Sequence, residues 1–200
     1  MSKTNPRKVA NPLGLAVLAF LVTGPMHPYE LGRRLIESGK DRNIKFNRGS
    51  LYMVVEQLRK AAFIEAHEIV RDSQRPERTI YSLTPLGRSE LHDWMRELLA
   101  RPQSEFPQFG VALSLLAVLT PAESAALLTQ RLAALDAEVG EIEDTMRGAE
   151  DRGVAWIFLI EEEYRKDLVR AERDFVERLI ESLNRPDYVQ AWQEMFEGNV

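Results

Sequence analysis

Five basic side chains fall close together in the first half of this sequence: Lys45, Arg48, Arg71, Arg75 and Arg78. Among and beyond the first two stand Asn47, Gly49, Ser50, Tyr52, Met53 and Gln57. Cations of this kind hold phosphate oxygens, and short polar or amphipathic side chains can reach base edges. The set therefore suits a polyanion. Covalent chemistry has no comparable set. The chain contains no cysteine, which excludes disulfides, thiolate metal sites and cysteine nucleophiles. His27, His67 and His92 are widely spaced and fit no metal motif, so capping or surface roles suit them better. No segment offers a phosphate loop, a G-x-S-x-G turn or a metal-ligand helix. We read no catalytic, cofactor or metal residue here, and not an enzyme.

The net charge of −5 looks unfavourable for a nucleic-acid partner until the chain is halved. Residues 1–100 hold 16 Lys and Arg against 11 Asp and Glu, a net of +5; residues 101–200 hold 10 against 20, a net of −10. A basic half that meets a polyanion and an acidic half that does not would give this pattern, and so would chance clustering of solvated charges. The longest apolar run, residues 13–22, is too short to span a membrane. The first residues lack an apolar signal region followed by a cleavage site. With the missing cysteines, this reads as a cytoplasmic protein without a membrane partner.

Regular elements must place these groups. Asn11-Pro12 starts a helix that is apolar nearly all round, and Thr23-Gly24-Pro25 stops it. A second helix covers roughly 28–38, with Gly39 beyond its end. Asn47 caps a third, ending near Ala62, whose buried stripe is Leu51, Val54, Val55 and Leu58. Two β-rich runs, 63–70 and 78–83, flank a basic turn over 71–76 and predict a hairpin. Thr84-Pro85 opens a fourth helix. After a linker around 101–107 every segment is helical. A seam of Leu128, Leu132, Leu135, Val139, Ile142 and Met146 is followed, past Gly153, by Trp156, Ile160, Tyr164, Leu168, Ala171, Phe175, Leu179 and Leu183. Asn184-Arg185-Pro186 ends that helix, and a short last one covers about 187–196.

Three helices, a hairpin and a helix make the plan of a winged helix-turn-helix, followed by an all-helical antiparallel domain; the expected division is 1–102 and 103–200. In that plan the third helix enters the DNA major groove. Lys45, Arg75 and Arg78 then position the protein on phosphates, while Ser50, Tyr52, Met53 and Gln57 face bases. Asn47, Arg48 and Gly49 stand at the helix entry, where orphan N–H groups favour an anion and Gly49 lets backbone approach it. Tyr52 and Tyr29 admit either DNA contact or packing.

Three stretches resemble the PadR family of transcriptional regulators. They are Gly24-Pro25-Met26-His27-Pro28-Tyr29-Glu30-Leu31, Gly49-Ser50-Leu51-Tyr52, and the run from Arg75 to Gly87 containing Arg-Pro-Glu-Arg and Tyr81-Ser82-Leu83-Thr84. Together they cover about residues 10–95. The helical half is similar in pattern to the virulence-activator-like domain of longer members. The resemblance implies a homodimer on a palindromic, inverted-repeat DNA operator, usually as a repressor, with Tyr29, Ser50, Tyr52, Arg75 and Arg78 on the DNA side. In some members a small aromatic or drug-like effector releases the DNA. Pro28, Met53, Ala62, Gln74 and Glu77 depart from the family pattern, and Glu77 makes the wing less positive. Glu77 and the overall acidity motivate a second reading, a protein-interaction module that kept the shape and lost DNA. The seams serve either self-association or packing within one chain. Trp94, Trp156 and Trp192 could line an effector pocket, although core packing suits each better.

Overall fold

A computed structural model describes residues 7–72, 75–102 and 104–196, with side chains throughout except at 69–72 and 75–78. The chain divides into two compact units, Met1–Ser104 and Glu105–Val200.

The first unit is built around α1 (Pro12–Leu21), which the apolar run made the natural centre. Asn11 accepts from the Leu13 N–H, and Leu13, Val17 and Leu18 lose all exposure. Around it lie α2 (Pro28–Glu37) and α3 (Arg48–Lys60). Their apolar stripes, Leu31 and Leu35 on α2 and Leu51, Val54, Val55 and Leu58 on α3, close one core with α1. A hairpin follows, β1 (Ile64–Asp72) against β2 (Arg75–Leu83), and then α4 (Pro85–Ala100), which adds Leu91 to that core. The mainly α, winged-helix architecture read from the sequence is present.

The hairpin is longer than the sequence pattern predicts. Pairing continues to Asp72 opposite Arg75, so Arg71, Asp72, Arg75 and Pro76 belong to strands rather than to the connection. Every strand of a two-stranded sheet is an edge, where proline is tolerated. A register shift between Ala66 and Glu68 leaves His67 as an extra residue, a bulge that bends the ribbon. At its base, Met26 and Tyr81 exchange two backbone hydrogen bonds of 3.0 Å each, so the turn before α2 pairs with β2.

Three contacts fix where the hairpin leaves α3. Ala62 takes the left-handed conformation, φ 63°, to end the helix. The Thr84 hydroxyl lies 2.8 Å from the Ala62 carbonyl and accepts the Gly87 N–H at 3.0 Å. The first turn of α4 then packs directly on the Phe63 carbonyl, where a Cβ at Gly87 would lie 1.9 Å from the oxygen. Since alanine is strained at positive φ, Ala62→Gly should stabilise the unit by roughly 0.5–1 kcal/mol despite the added freedom of the unfolded chain. The check is a urea melt in which the midpoint rises at constant slope.

The second unit holds α5 (Gln108–Ser114), α6 (Pro121–Asp151), α7 (Ile160–Leu183) and α8 (Pro186–Phe196). Ion pairs Arg131–Glu172, Asp136–Arg173, Glu138–Arg165 and Glu143–Arg170 tie α6 to α7, and the short connection over 152–159 makes the two packed helices an antiparallel pair. The α6 seam packs inward, with Leu128, Leu135 and Ile142 buried. On α7 the expected seam is largely displaced. Val176 and Leu183 are buried and Val169 packs beside them, whereas Ile160, Tyr164, Leu168 and Phe175 are exposed. The helix carries two apolar stripes, and only one finds a partner within this unit. Among the described residues, no helix is long and apolar enough to cross a membrane.

Candidate nucleic-acid interface

The entry of α3 is held by a reciprocal cap. The Asn47 side chain accepts the Ser50 N–H at 2.8 Å, and the Ser50 hydroxyl accepts the Asn47 N–H at 2.8 Å. Phe46 and Leu51 occupy the flanking positions of a hydrophobic staple, and both come within 4 Å of where a side chain at Gly32 would begin. Sequence reading placed Ser50 at a base edge and Asn47 at the helix entry. Their polar atoms are engaged in the cap, so both act first by fixing the helix direction. The first-turn amides of Arg48 and Gly49 have no intrahelical acceptor, and Gly49 presents no side chain.

Around this entry the structure brings together most of the residues singled out. Tyr29 is 62 % exposed, Tyr52 50 % and Met53 54 %. For the two tyrosines this decides against core packing. Lys45, Arg48 and Gln57 are exposed as well. Neither Lys45 nor Arg48 has a carboxylate partner among the described residues. The acid nearest in sequence on the helix, Glu56, is forked by Arg59 at 2.8 Å, and this hydrogen bond holds its carboxyl below the usual range. The entry of α3 thus carries two cations, Lys45 and Arg48, without a carboxylate partner among the described residues, while the one carboxylate of the helix is neutralised by Arg59 and Lys60 near its far end. Arg75 and Arg78 lie on β2 by backbone, opposite Asp72 and Val70. Their side chains fall outside the described residues, as do those of Arg71 and Glu77; Gln74 lies wholly outside.

Tyr29 is placed by α2, whose cap is His27: the imidazole Nδ1 accepts the Tyr29 N–H at 3.1 Å. Pro28 sits at the first helical position, where its missing N–H costs nothing. Sequence reading missed a cleft between α2 and α3, lined by Tyr29, Arg33, Ile36, Phe46, Arg48 and Tyr52 among others. The sequence signal for it was Phe46, an apolar residue just before a cap. Of the three tryptophans, one lies in the first unit and two in the second. Trp94 is buried in the first unit under the Arg7 guanidinium, 5.2 Å from its ring. In the second unit Trp156 is 65 % exposed, and the Trp192 indole donates to the Ala117 carbonyl at 3.1 Å. Among the described residues no group of side chains could hold a metal ion.

Residues 17–93 match the PadR-like family of transcriptional regulators. This segment is a PadR-like domain. The matched stretch runs from α1 into α4 and contains every candidate DNA contact named above. The family consists of transcriptional regulators, not enzymes. No curated protein matches the sequence. Solved structures extend the fold likeness beyond the PadR-like domain. Bacillus subtilis PadR in complex with operator DNA is 19 % identical, with a TM-score of 0.67, covering 87 % of this chain and all of that one. The same protein in complex with p-coumaric acid gives 19 % and 0.67 over 86 % of this chain and 99 % of that one. The Vibrio cholerae virulence activator AphA gives 16 % and 0.65 over 86 % and 98 %.

Proposed function

We propose that this chain is a cytoplasmic repressor that binds an inverted-repeat operator as a homodimer and releases it when a small aromatic effector binds. The observation that carries the DNA reading is the exposed entry of α3. Asn47 to Tyr52 present free amides, a guanidinium without a carboxylate partner among the described residues, and an exposed aromatic at one helix end. The hairpin is tethered beside the same core by Met26 and Tyr81. A major groove about 12 Å wide accepts one such helix. Arg48 and the backbone of Gly49 meet phosphate. Tyr52, Met53 and Gln57 face base edges, and Tyr29 and Lys45 flank the groove. Arg75 and Arg78 supply the wing. A relative solved on operator DNA and with p-coumaric acid supports both halves of the proposal.

The homodimer rests on the second unit. The unpartnered α7 stripe is a row of large apolar side chains on a helix whose other face is already packed. A second copy would cover it and set two recognition helices about 34–36 Å apart, one turn of DNA.

The test is a duplex titration across salt concentrations. Binding should weaken steeply with salt, log K falling by about 0.9 per phosphate neutralised. Arg78→Ala should weaken binding to every duplex alike and reduce the slope by about 1.8 for a dimer, one phosphate per wing. Absence of any duplex binding at micromolar protein in low salt would sink the reading and favour the protein-interaction module.

A further inference from the structure

We propose that Lys8, seated beside Lys60 at the far end of α3, holds the second phosphate strand that borders the recognition helix. The inference extends the DNA reading and rests on it. A helix lying in the major groove has a phosphodiester strand along each flank. Around α3, Tyr52 and Gln57 stand about 140° apart, with Met53 and Glu56 between them, so they mark the two borders of its exposed face. The Tyr52 border carries Arg48 and adjoins α2. The Gln57 border adjoins the segment that precedes α1, across an open groove whose cations are Arg7, Lys8 and Lys60.

Those three cations differ in what already holds them. Arg7 is committed: it pairs with both Glu90 and Glu97 on α4, and its guanidinium lies over the Trp94 ring at 5.2 Å. Lys60 reaches Glu56 at 3.7 Å and stands in the last turn of α3, where its charge offsets the negative end of the helix dipole. Lys8 is exposed and has no carboxylate partner among the described residues. It is therefore the charge left over to attract a phosphate at a helix end that would otherwise repel one. Its backbone is fixed from both sides. Arg7 ties the segment to α4, and Val9, 3 % exposed, is packed into the core of the first unit. A lysine mounted on anchored backbone loses less freedom on contact than one on a loose arm. Lys8 lies ahead of residues 17–93, so the family match does not include it.

The test uses the full chain and a mixed-sequence duplex of about 30 base pairs, long enough for two half-sites. Titrations across salt concentrations compare the parent, Lys8→Ala and Lys8→Arg. Lys8→Ala should reduce the slope of log K against log salt by about 1.8 for a dimer, and weaken binding about tenfold or more in roughly 0.1 M salt. Lys8→Arg should restore both, with thermal melts and dimer mass alike in all three proteins. A Lys8→Ala protein with the parent's slope and affinity overturns the proposal. Weaker binding at an unchanged slope also overturns it, since no phosphate contact has then been lost. So does loss of the dimer mass, which would assign Lys8 to the acidic half of a second copy. A parent chain that binds no duplex overturns the DNA reading and this contact together, whereas the other three outcomes leave that reading standing.

Discussion

Gly87→Ala will lower the melting temperature of the first unit by roughly 15 °C, the effect of about 3 kcal/mol on a domain of this size. The added methyl would begin 1.9 Å from the Phe63 carbonyl oxygen and 2.9 Å from a Leu83 methyl. A leucine methyl can rotate away. The carbonyl cannot, because it accepts the Thr84 N–H at 3.1 Å and lies 3.0 Å from the Thr84 hydroxyl. Relief therefore requires α4 to lift off the end of α3, and the Thr84 cap and the contacts of Leu91 go with it. Calorimetry on the full chain reads this directly. A Gly87→Ala protein that melts within about 3 °C of the parent, a shift worth less than 1 kcal/mol, would show that α4 is not seated as described. The helical half serves as an internal control, since the contacts of Gly87 named above all lie within the first unit.

Leu168→Asp will leave the chain monomeric and weaken operator binding by about a hundredfold or more, the usual loss when two linked half-site contacts become one. Leu168 is 53 % exposed and lies between Tyr164 and Phe175 on the unpartnered stripe of α7, so the substitution costs the isolated unit little. In a dimer it would bury a carboxylate against apolar side chains, which association cannot tolerate. Light scattering should show the mass fall from two chains to one, with the helical circular dichroism signal unchanged. A variant that keeps the dimer mass would move the self-association surface away from this stripe and remove the basis for two half-sites.

What the sequence made legible, and what it hid, follows from how local each signal is. The caps at Asn11, Asn47 and Thr84 each lie within three residues of the N–H they satisfy, and all three helices start where those residues stand. The buried stripe of α3 follows from a period of 3.6 within one helix. The α7 seam misled because periodicity reports that a face is apolar without saying what covers it. Residues 160, 164, 168 and 175 share one face, and Val169, Val176 and Leu183 share the neighbouring one, and only packing distinguishes them. The hairpin was read too short because Arg71, Asp72, Arg75 and Pro76 are residue types that favour turns, while a two-stranded ribbon with both strands at an edge accommodates them in pairing. At the candidate site, Lys45, Arg48, Tyr52, Met53 and Gln57 were legible on the third helix and just before it, and Tyr29 through the family resemblance. The cleft beside them was not, because Ile36 and Phe46 come from different elements, a helix and the connection that follows it, and only packing brings them to one lining. Ala62 is the converse case. Its departure from a glycine pattern is visible in sequence, and the positive φ explains why glycine belongs there.

The two hydrogen bonds between Met26 and Tyr81 make the front of α2 and the inner end of the wing a single mechanical part. Pro28, two residues past Met26, lines the α2–α3 cleft. A molecule wedged into that cleft cannot push the start of α2 outward without either rupturing this pairing or dragging β2 along. The wing's aim is thereby geared to the seating of α2, and even a modest wedge at one end would be felt as misalignment at the other.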